Sequence, residues 1–329
     1  MALSAGTLID SRYEVRGYLG GGGFGEVYRV VDRHLDTTVA LKLLRAFAGT
    51  NVWAEAQALM QLRSPYILEV RNADIDAGLP YLVTALAANG SAEAPMNPIG
   101  VPPDAAVRWV RHACRGAART HAAGLLHRDI KPHNLFLTAA NEAQLGDFGI
   151  AVFMDANGEA SPHGTPATRA PEVSAGANTT ISSDVYSLGA TLYALLSGGY
   201  PDPAGGGPPL RDAAPHVSQA LAQRVQRAIS PTPAARYATA AEFDAALGDL
   251  PTGTRTWRRT DEHSGHACCF RGEAPGKAAA TVCLVPAGAR WEVLGSHQPT
   301  GRRISAACRP PAPQSAIARN LRAAMAGVP

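Results

Sequence analysis

The chain is short of cysteine, of aromatic side chains and of long apolar runs. Of its 329 residues five are Cys and 6% are aromatic. An odd, small cysteine count speaks against a disulfide framework. No apolar run reaches the length of a membrane span, and the opening stretch "MALSAGTLIDSRYEV" has neither a basic n-region nor an apolar h-region. No membrane span and a cytoplasmic location are therefore expected. What remains is an ordinary composition, 46% hydrophobic with mean hydropathy -0.07, in a chain long enough for one large domain or two.

The net charge of +3 conceals an asymmetry. From residue 251 onward there are 11 Lys and Arg against 4 Asp and Glu, a balance of +7, which leaves 19 against 23, or -4, for the first 250 residues. Cys114 lies in the acidic part; Cys268, Cys269, Cys283 and Cys308 lie in the basic part. The basic part has few aromatics for base stacking (Trp257, Phe270, Trp291), so nucleic acid is not favoured as its partner. A contact with the acidic part or with an acidic protein suits it better.

From Tyr13 to Leu86 short β-branched and aromatic runs ("YEVRGYL", "GEVYRVVD", "TVALKLL", "YILEVRNADI", "PYLVTAL") alternate with turn residues and predict a mostly antiparallel sheet. One amphipathic helix, "VWAEAQALMQL", interrupts it. After residue 91 the texture is helical. The stretch "PPDAAVRWVRHACRGAARTHAAG" has prolines at its start and Gly124 at its end, "YPDPAGGGPPLRDAAP" is a loop, and "PTPAARYATAAEFDAALGDL" closes the region. Past "DLPTGT" strand-like runs return ("ATVCLVP", "ARWEVLG") before a helical end, "PQSAIARNLRAAM". The class is α+β.

Chemistry concentrates in two stretches. "LGGGGFGEVY" holds Gly20, Gly22 and Gly25 as G-x-G-x-x-G, but a strand rather than a helix follows, so the glycines form a flap between strands. Lys42 follows on the next strand and Glu55 on the interrupting helix, where an acid would hold the ammonium in reach of phosphate. The second stretch, "LLHRDIKPHNLFL", sets His127, Arg128, Asp129, Lys131 and Asn134 between apolar runs, and polar groups so placed are costly unless they serve a site.

In order and spacing these motifs resemble those of the eukaryotic-type (Hanks-type) serine/threonine protein kinases also found in bacteria, over about Tyr13 to Leu250. The resemblance implies a bilobal fold: an N-terminal lead (1–12), a β-rich N-lobe (13–84), a hinge (85–90), a helical C-lobe (91–250) and a small Cys/His-containing β-rich appendage (251–329). It implies ATP and Mg2+, with Mn2+ as a substitute, and protein substrates, the chain itself among them. The ATP pocket would comprise Leu19, Gly20, Gly22, Gly25, Val27, Ala40, Lys42, Thr84, Ala85 and Ala87. Asp129 would orient the acceptor hydroxyl, Lys131 would reach the transferred phosphate, and Asn134 with Asp147 of "DFG" would hold the metal. Glu172 of "APE" would pair with Arg236, Asp184 would cap the catalytic-loop backbone, and Val70, Leu59, Phe148 and His127 would form an apolar spine. Thr165 would contact Asp129 and Lys131, and Ser161 is the favoured regulatory phosphosite opposite Arg128, with Asp155 or Glu159 as alternative sources of charge.

Some positions depart from the family. Ala85 replaces a common hinge acid, Thr84 is a small gatekeeper, and Thr168 stands where relatives carry tyrosine, which leaves peptide preference open. A pseudokinase scaffold would lose Lys42, Asp129, Asn134 or Asp147, and none is lost; a small-molecule phosphotransferase would not need the "GTP" and "APE" segments. In the appendage, Thr260 and Ser305 follow basic pairs as candidate acceptors. His263, His266, Cys268, Cys269, Cys283, His297 and Cys308 could supply zinc ligands, but they match no standard finger spacing, and buried thiols in a small β-rich unit are the favoured reading.

Overall fold

The computed structural model describes residues 3–22, 25–44, 60–148, 152–202, 206–250, 255–261 and 263–329. Its first layer is an antiparallel sheet of β1 (Leu8–Ile9), β2 (Tyr13–Gly22), β3 (Gly25–Asp32), β4 (Thr37–Leu44), β5 (Val70–Asp76) and β6 (Leu79–Ala85), in spatial order β1-β2-β3-β4-β6-β5. Strand alternation sorts the side chains. Tyr28 and Val30 lie opposite Leu41 and Val39, and with Tyr13, Val15, Tyr81 and Val83 they form a core in which no residue is more than 1% exposed. The opposite face is left to Val27, which pairs with Lys42, and to Ala40, which pairs with Thr84. The expected strand "YILEVRNADI" begins only at Val70, because the residues before it turn toward the helical layer: Leu68 N donates to Leu145 O at 2.9 Å and Ile67 bridges Leu145.

The helical layer comprises α1 (Glu93–Met96), α2 (Pro103–Ala122), α3 (Pro171–Ser174), α4 (Ile181–Ser197), α5 (Leu210–Ala213), α6 (Gln219–Ala228) and α7 (Ala240–Gly248). Pro103 opens α2, where its missing N–H is no loss, and Gly124 just past its end takes a left-handed φ of 78°. Helix α4 is buried all round from Ser183 to Leu196, and Val185, Leu188, Leu192, Leu195 and Leu196 are fully buried, which makes it the central post of the layer. Four short strands frame the polar block of the sequence: β7 (Leu125–Leu126), β8 (Leu135–Leu137), β9 (Ala143–Leu145) and β10 (Val152–Phe153). β7 pairs with β10 and β8 with β9, so the stretch between β7 and β8 is anchored at both ends.

A separate five-stranded antiparallel sheet follows, β11 (Thr256–Thr260), β12 (Cys268–Glu273), β13 (Ala280–Ala287), β14 (Arg290–His297) and β15 (Arg309–Ala312), paired in sequence order. Helix α8 (Ile317–Ala326) covers it through Leu321 and Met325 over Trp257, Phe270, Val282, Leu284 and Val293. This unit rests on the helical layer. Arg322 Nη1 donates to Arg211 O at 2.6 Å and Asp212 Oδ1 at 2.8 Å, and the rings of His216 and Phe270 lie 5.4 Å apart.

Candidate active site

The stretch between β7 and β8 is held from below by one buried acid. Asp184, 1% exposed in the first turn of α4, accepts the backbone N–H groups of His127 (2.9 Å) and Arg128 (3.0 Å) and a bond from His121 Nε2 (2.9 Å). Burial pushes its carboxyl up, but the His121 contact and the charges around it outweigh that and hold it below the ordinary carboxylate range. The clamp sustains a strained backbone: Arg128 has a φ of 67° and Asp147 of 55°, both left-handed for non-glycine residues.

Above the clamp, four side chains are cross-bonded. Asp129 Oδ1 accepts Thr165 Oγ1 at 2.6 Å and Thr165 N at 2.9 Å, while Oδ2 pairs with Lys131 Nζ at 2.8 Å. Lys131 also donates to Thr165 Oγ1 at 2.7 Å. Asn134 Nδ2 donates to Asp129 O (2.8 Å) and Oδ2 (3.2 Å), which aims its Oδ1 the other way; that atom is buried and has no hydrogen-bond partner among the described residues. Burial pushes Asp129 up, and the bonds from Lys131 and Thr165 together bring it below its ordinary value, so it is ionised at neutral pH.

The sheet supplies the roof. Gly20, Gly21 and Gly22 pair with Val27, Glu26 and Gly25 across the β2–β3 hairpin, and Gly25 has a φ of 148° with its missing Cβ directed onto Leu43 O, so no other residue fits there. The register carries Val27, Ala40, Lys42 and Thr84 onto one face. From it Lys42 Nζ reaches Asp147 Oδ1 as an ion pair. Two lysines, two carboxylates and an amide thus line one cleft, which can neutralise a polyphosphate, hold a hard cation through oxygen ligands and orient a hydroxyl.

A family model for the protein kinase domain matches residues 13–235. The chain belongs to the protein kinase family. It is 36% identical over 204 residues to "Serine/threonine-protein kinase PknL" of Mycobacterium tuberculosis, covering 59% of this chain and 51% of that protein. It is 34% identical over 274 residues to "Serine/threonine-protein kinase PknB" of Mycobacterium leprae, covering 74% of this chain and 44% of that protein. The chain spans about half the length of these relatives. Kinases of this family use ATP and Mg2+, and among the described residues no helix is long and apolar enough to cross a membrane.

The remaining kinase residues fall around this cleft. Arg236, with a fully buried side chain, donates to both oxygens of Glu172 at 2.7 Å and to the carbonyls of Ser230, Ser182 and Pro231. The rings of His127 and Phe148 lie 4.6 Å apart in the same core as Val70. Leu59 and Glu55 lie outside the described residues. Leu19 is half exposed at the hairpin, and Ala85 and Ala87 occupy the crossing from β6 to the helical layer. Arg128 Nη1 donates to Ser161 Oγ at 3.0 Å and to Ser161 O at 3.1 Å; Thr168 is buried.

Sequence reading missed three contributors. His121 braces Asp184, although nothing in "RTHAAG" marks it among helix-end polar residues. Gly164 is one whose positive φ (118°) and close approach to Arg128 O no side chain would tolerate. The third is the cationic surround of Arg128: His163 is lowered by burial and then by the charges of Arg128 and Arg169. In the appendage the structure corrects the seven-residue ligand set. Adjacent strand residues face opposite ways, so Cys268 turns to the apolar core and away from Cys269, Cys308 bonds Gly295 N and Arg303, and neither they nor His297 join the cluster of His263, His266, Cys269 and Cys283.

Proposed function

We propose that the chain is a serine/threonine protein kinase that transfers the γ-phosphoryl group of ATP to hydroxyls of proteins, including its own. The observation that carries this reading is the ring of bonds joining Asp129, Lys131, Thr165 and Asn134 below Lys42 and Asp147. A new bond forms between the acceptor oxygen and the γ-phosphorus, the bond from that phosphorus to the bridging oxygen of ADP breaks, and the acceptor proton passes to Asp129 and then to solvent. A carboxylate kept ionised is a weak base, so Asp129 first orients the hydroxyl and takes the proton late. Lys131 neutralises charge on the transferred group, and Lys42 holds the phosphates of the nucleotide. Asn134 and Asp147 would hold Mg2+, a fit supported by the unpartnered Asn134 Oδ1; the ion supplies neutralisation of phosphate charge. The face carrying Val27, Ala40 and Thr84 covers the adenine, and Ala85 to Ala87 read its edge through backbone groups.

Regulation follows from Arg128. A phosphate on the exposed Ser161 would meet Arg128, with Arg169 and His163 close by, and fix the activation segment. The acids nearest in sequence are engaged elsewhere: Asp155 accepts the N–H groups of Asn157 and Glu159, and Glu159 accepts from Asn178. The function is tested by incubating purified chain with ATP, Mg2+ and a generic protein acceptor. Phosphate should appear on protein, and Lys42→Met should abolish it with the circular-dichroism spectrum kept. Equal transfer by the Lys42→Met chain would overturn the reading.

A further inference from the structure

A second constellation lies in the C-terminal unit, apart from the kinase cleft. The Nδ1 atom of His263 is 3.3 Å from Cys269 Sγ and 3.2 Å from Cys283 Sγ, and the Nδ1 atom of His266 is 3.4 Å from Cys269 Sγ. One ligand atom from each of the four residues falls within 4.8 Å of all the others. We propose that His263, His266, Cys269 and Cys283 bind one zinc ion in a closed Cys2His2 site.

The fold builds the group from two sources. Cys269 on β12 and Cys283 on β13 are direct cross-strand partners, so both thiols emerge on one face of the sheet, and both are buried. His263 and His266 come from the turn between β11 and β12, which folds over that face and is tied to β13 by the bond from Ala267 N to Leu284 O at 2.9 Å. Within the turn, the bond from His266 N to His263 O is long at 3.4 Å.

Size and chemistry select the ion. With Zn–N near 2.0 Å and Zn–S near 2.3 Å, the edge between a nitrogen and a sulfur of a tetrahedral site is about 3.5 Å. The three N–S separations come within a few tenths of that value, so an ion enters with small outward shifts. A simple thiol–imidazole hydrogen bond needs one residue of each kind and gives no reason for two of each to converge. Two thiolates and two neutral imidazoles form a soft, tetrahedral donor set with a formal charge of -2, which Zn2+ neutralises as the two thiol protons leave to solvent. Four protein ligands leave no open position, so the site is structural. It would pin the turn to a sheet whose own core is small, with Trp257, Phe270, Val282, Leu284 and Val293 as its main apolar members.

The test uses the full chain, purified under reducing conditions, with zinc measured by inductively coupled plasma mass spectrometry. One zinc per chain is expected, lost in Cys269→Ser and in Cys283→Ser and retained in Cys268→Ala, His297→Gln and Cys308→Ala. Exchange with Co2+ in the unmodified chain should give the intense ligand-field bands of a tetrahedral ion together with thiolate-to-cobalt charge transfer, a readout that survives any folding defect of the variants. The proposal is overturned by a folded chain that stays zinc-free after incubation with zinc and reductant. A cobalt spectrum without charge transfer, or a peptide map showing a native Cys269–Cys283 disulfide under non-reducing conditions, would overturn it equally.

Discussion

The kinase cleft and the Cys/His cluster are assembled by opposite routes. In the cleft, Asp129, Lys131 and Asn134 come from one six-residue stretch, and the fold adds Thr165 and Asp147 through the segment that follows. In the cluster, ligands at 263, 266, 269 and 283 meet only because a hairpin register sets Cys269 against Cys283 and a turn folds back over them. A contiguous site can be read as a motif. A site made by pairing can be read only once the register is known.

The largest effect expected from breaking the supports of the cleft is at Arg236. Its side chain is wholly buried, it holds Glu172 through two 2.7 Å bonds, and its guanidinium lies 4.9 Å from the centre of the Tyr186 ring. Arg236→Ala strands a half-buried carboxylate and several carbonyls, and unfolding in urea should show a loss of about 3–5 kcal/mol. A loss below about 1 kcal/mol would mean that the pair is a surface-type contact after all.

The seam between the two regions gives the next effect. His216 is buried against Phe270, its Nδ1 has no hydrogen-bond partner among the described residues, and burial followed by the charge of Arg259 lowers its pKa to about 4. The unfolded chain takes up that proton near pH 6.5 and the folded chain near 4, so this contribution is complete above pH 6.5 and lost as pH falls toward 4. The size is on the order of 3 kcal/mol. Measured against pH, the stability of His216→Leu should lack this loss while keeping the one at more acidic pH, where the unfolded chain's carboxyls take up protons before the lowered carboxyls of Asp184, Glu172 and Asp129 do.

A smaller effect is expected at Ser161. Activity of Ser161→Ala should fall about tenfold, equivalent to about 1.4 kcal/mol, and peptide mass spectrometry of active enzyme should place a phosphate on Ser161. Full activity in the alanine chain with an unmodified segment would leave Arg128 with a purely structural role.

The same contrast explains what the sequence made legible. Most strands of the first sheet and the polar block between β7 and β8 follow from alternation and the cost of isolated charge, while the strand expected over "YILEVRNADI" starts only at Val70 because the residues before it pair with Leu145. His121 escaped because its partner Asp184 is 63 residues away and a helix-end histidine has no local signature. Cys268 and Cys269 were inseparable as letters, and only the alternation of β12 divides them between the apolar core and the cluster. His216 and Phe270 meet across a seam that neither local pattern encodes.

The transfer chemistry depends most directly on Asp129. The unmodified chain and its Asp129→Asn variant should be compared on matched acceptor peptides carrying Ser, Thr or Tyr at one position, with ATP and Mg2+ in excess and phosphate located by mass spectrometry. The expected result is phosphate on the Ser and Thr peptides alone, with transfer reduced at least about a hundredfold in the variant, the scale of losing a positioned proton acceptor. Undiminished transfer by Asp129→Asn, or phosphate on the Tyr peptide, would contradict it.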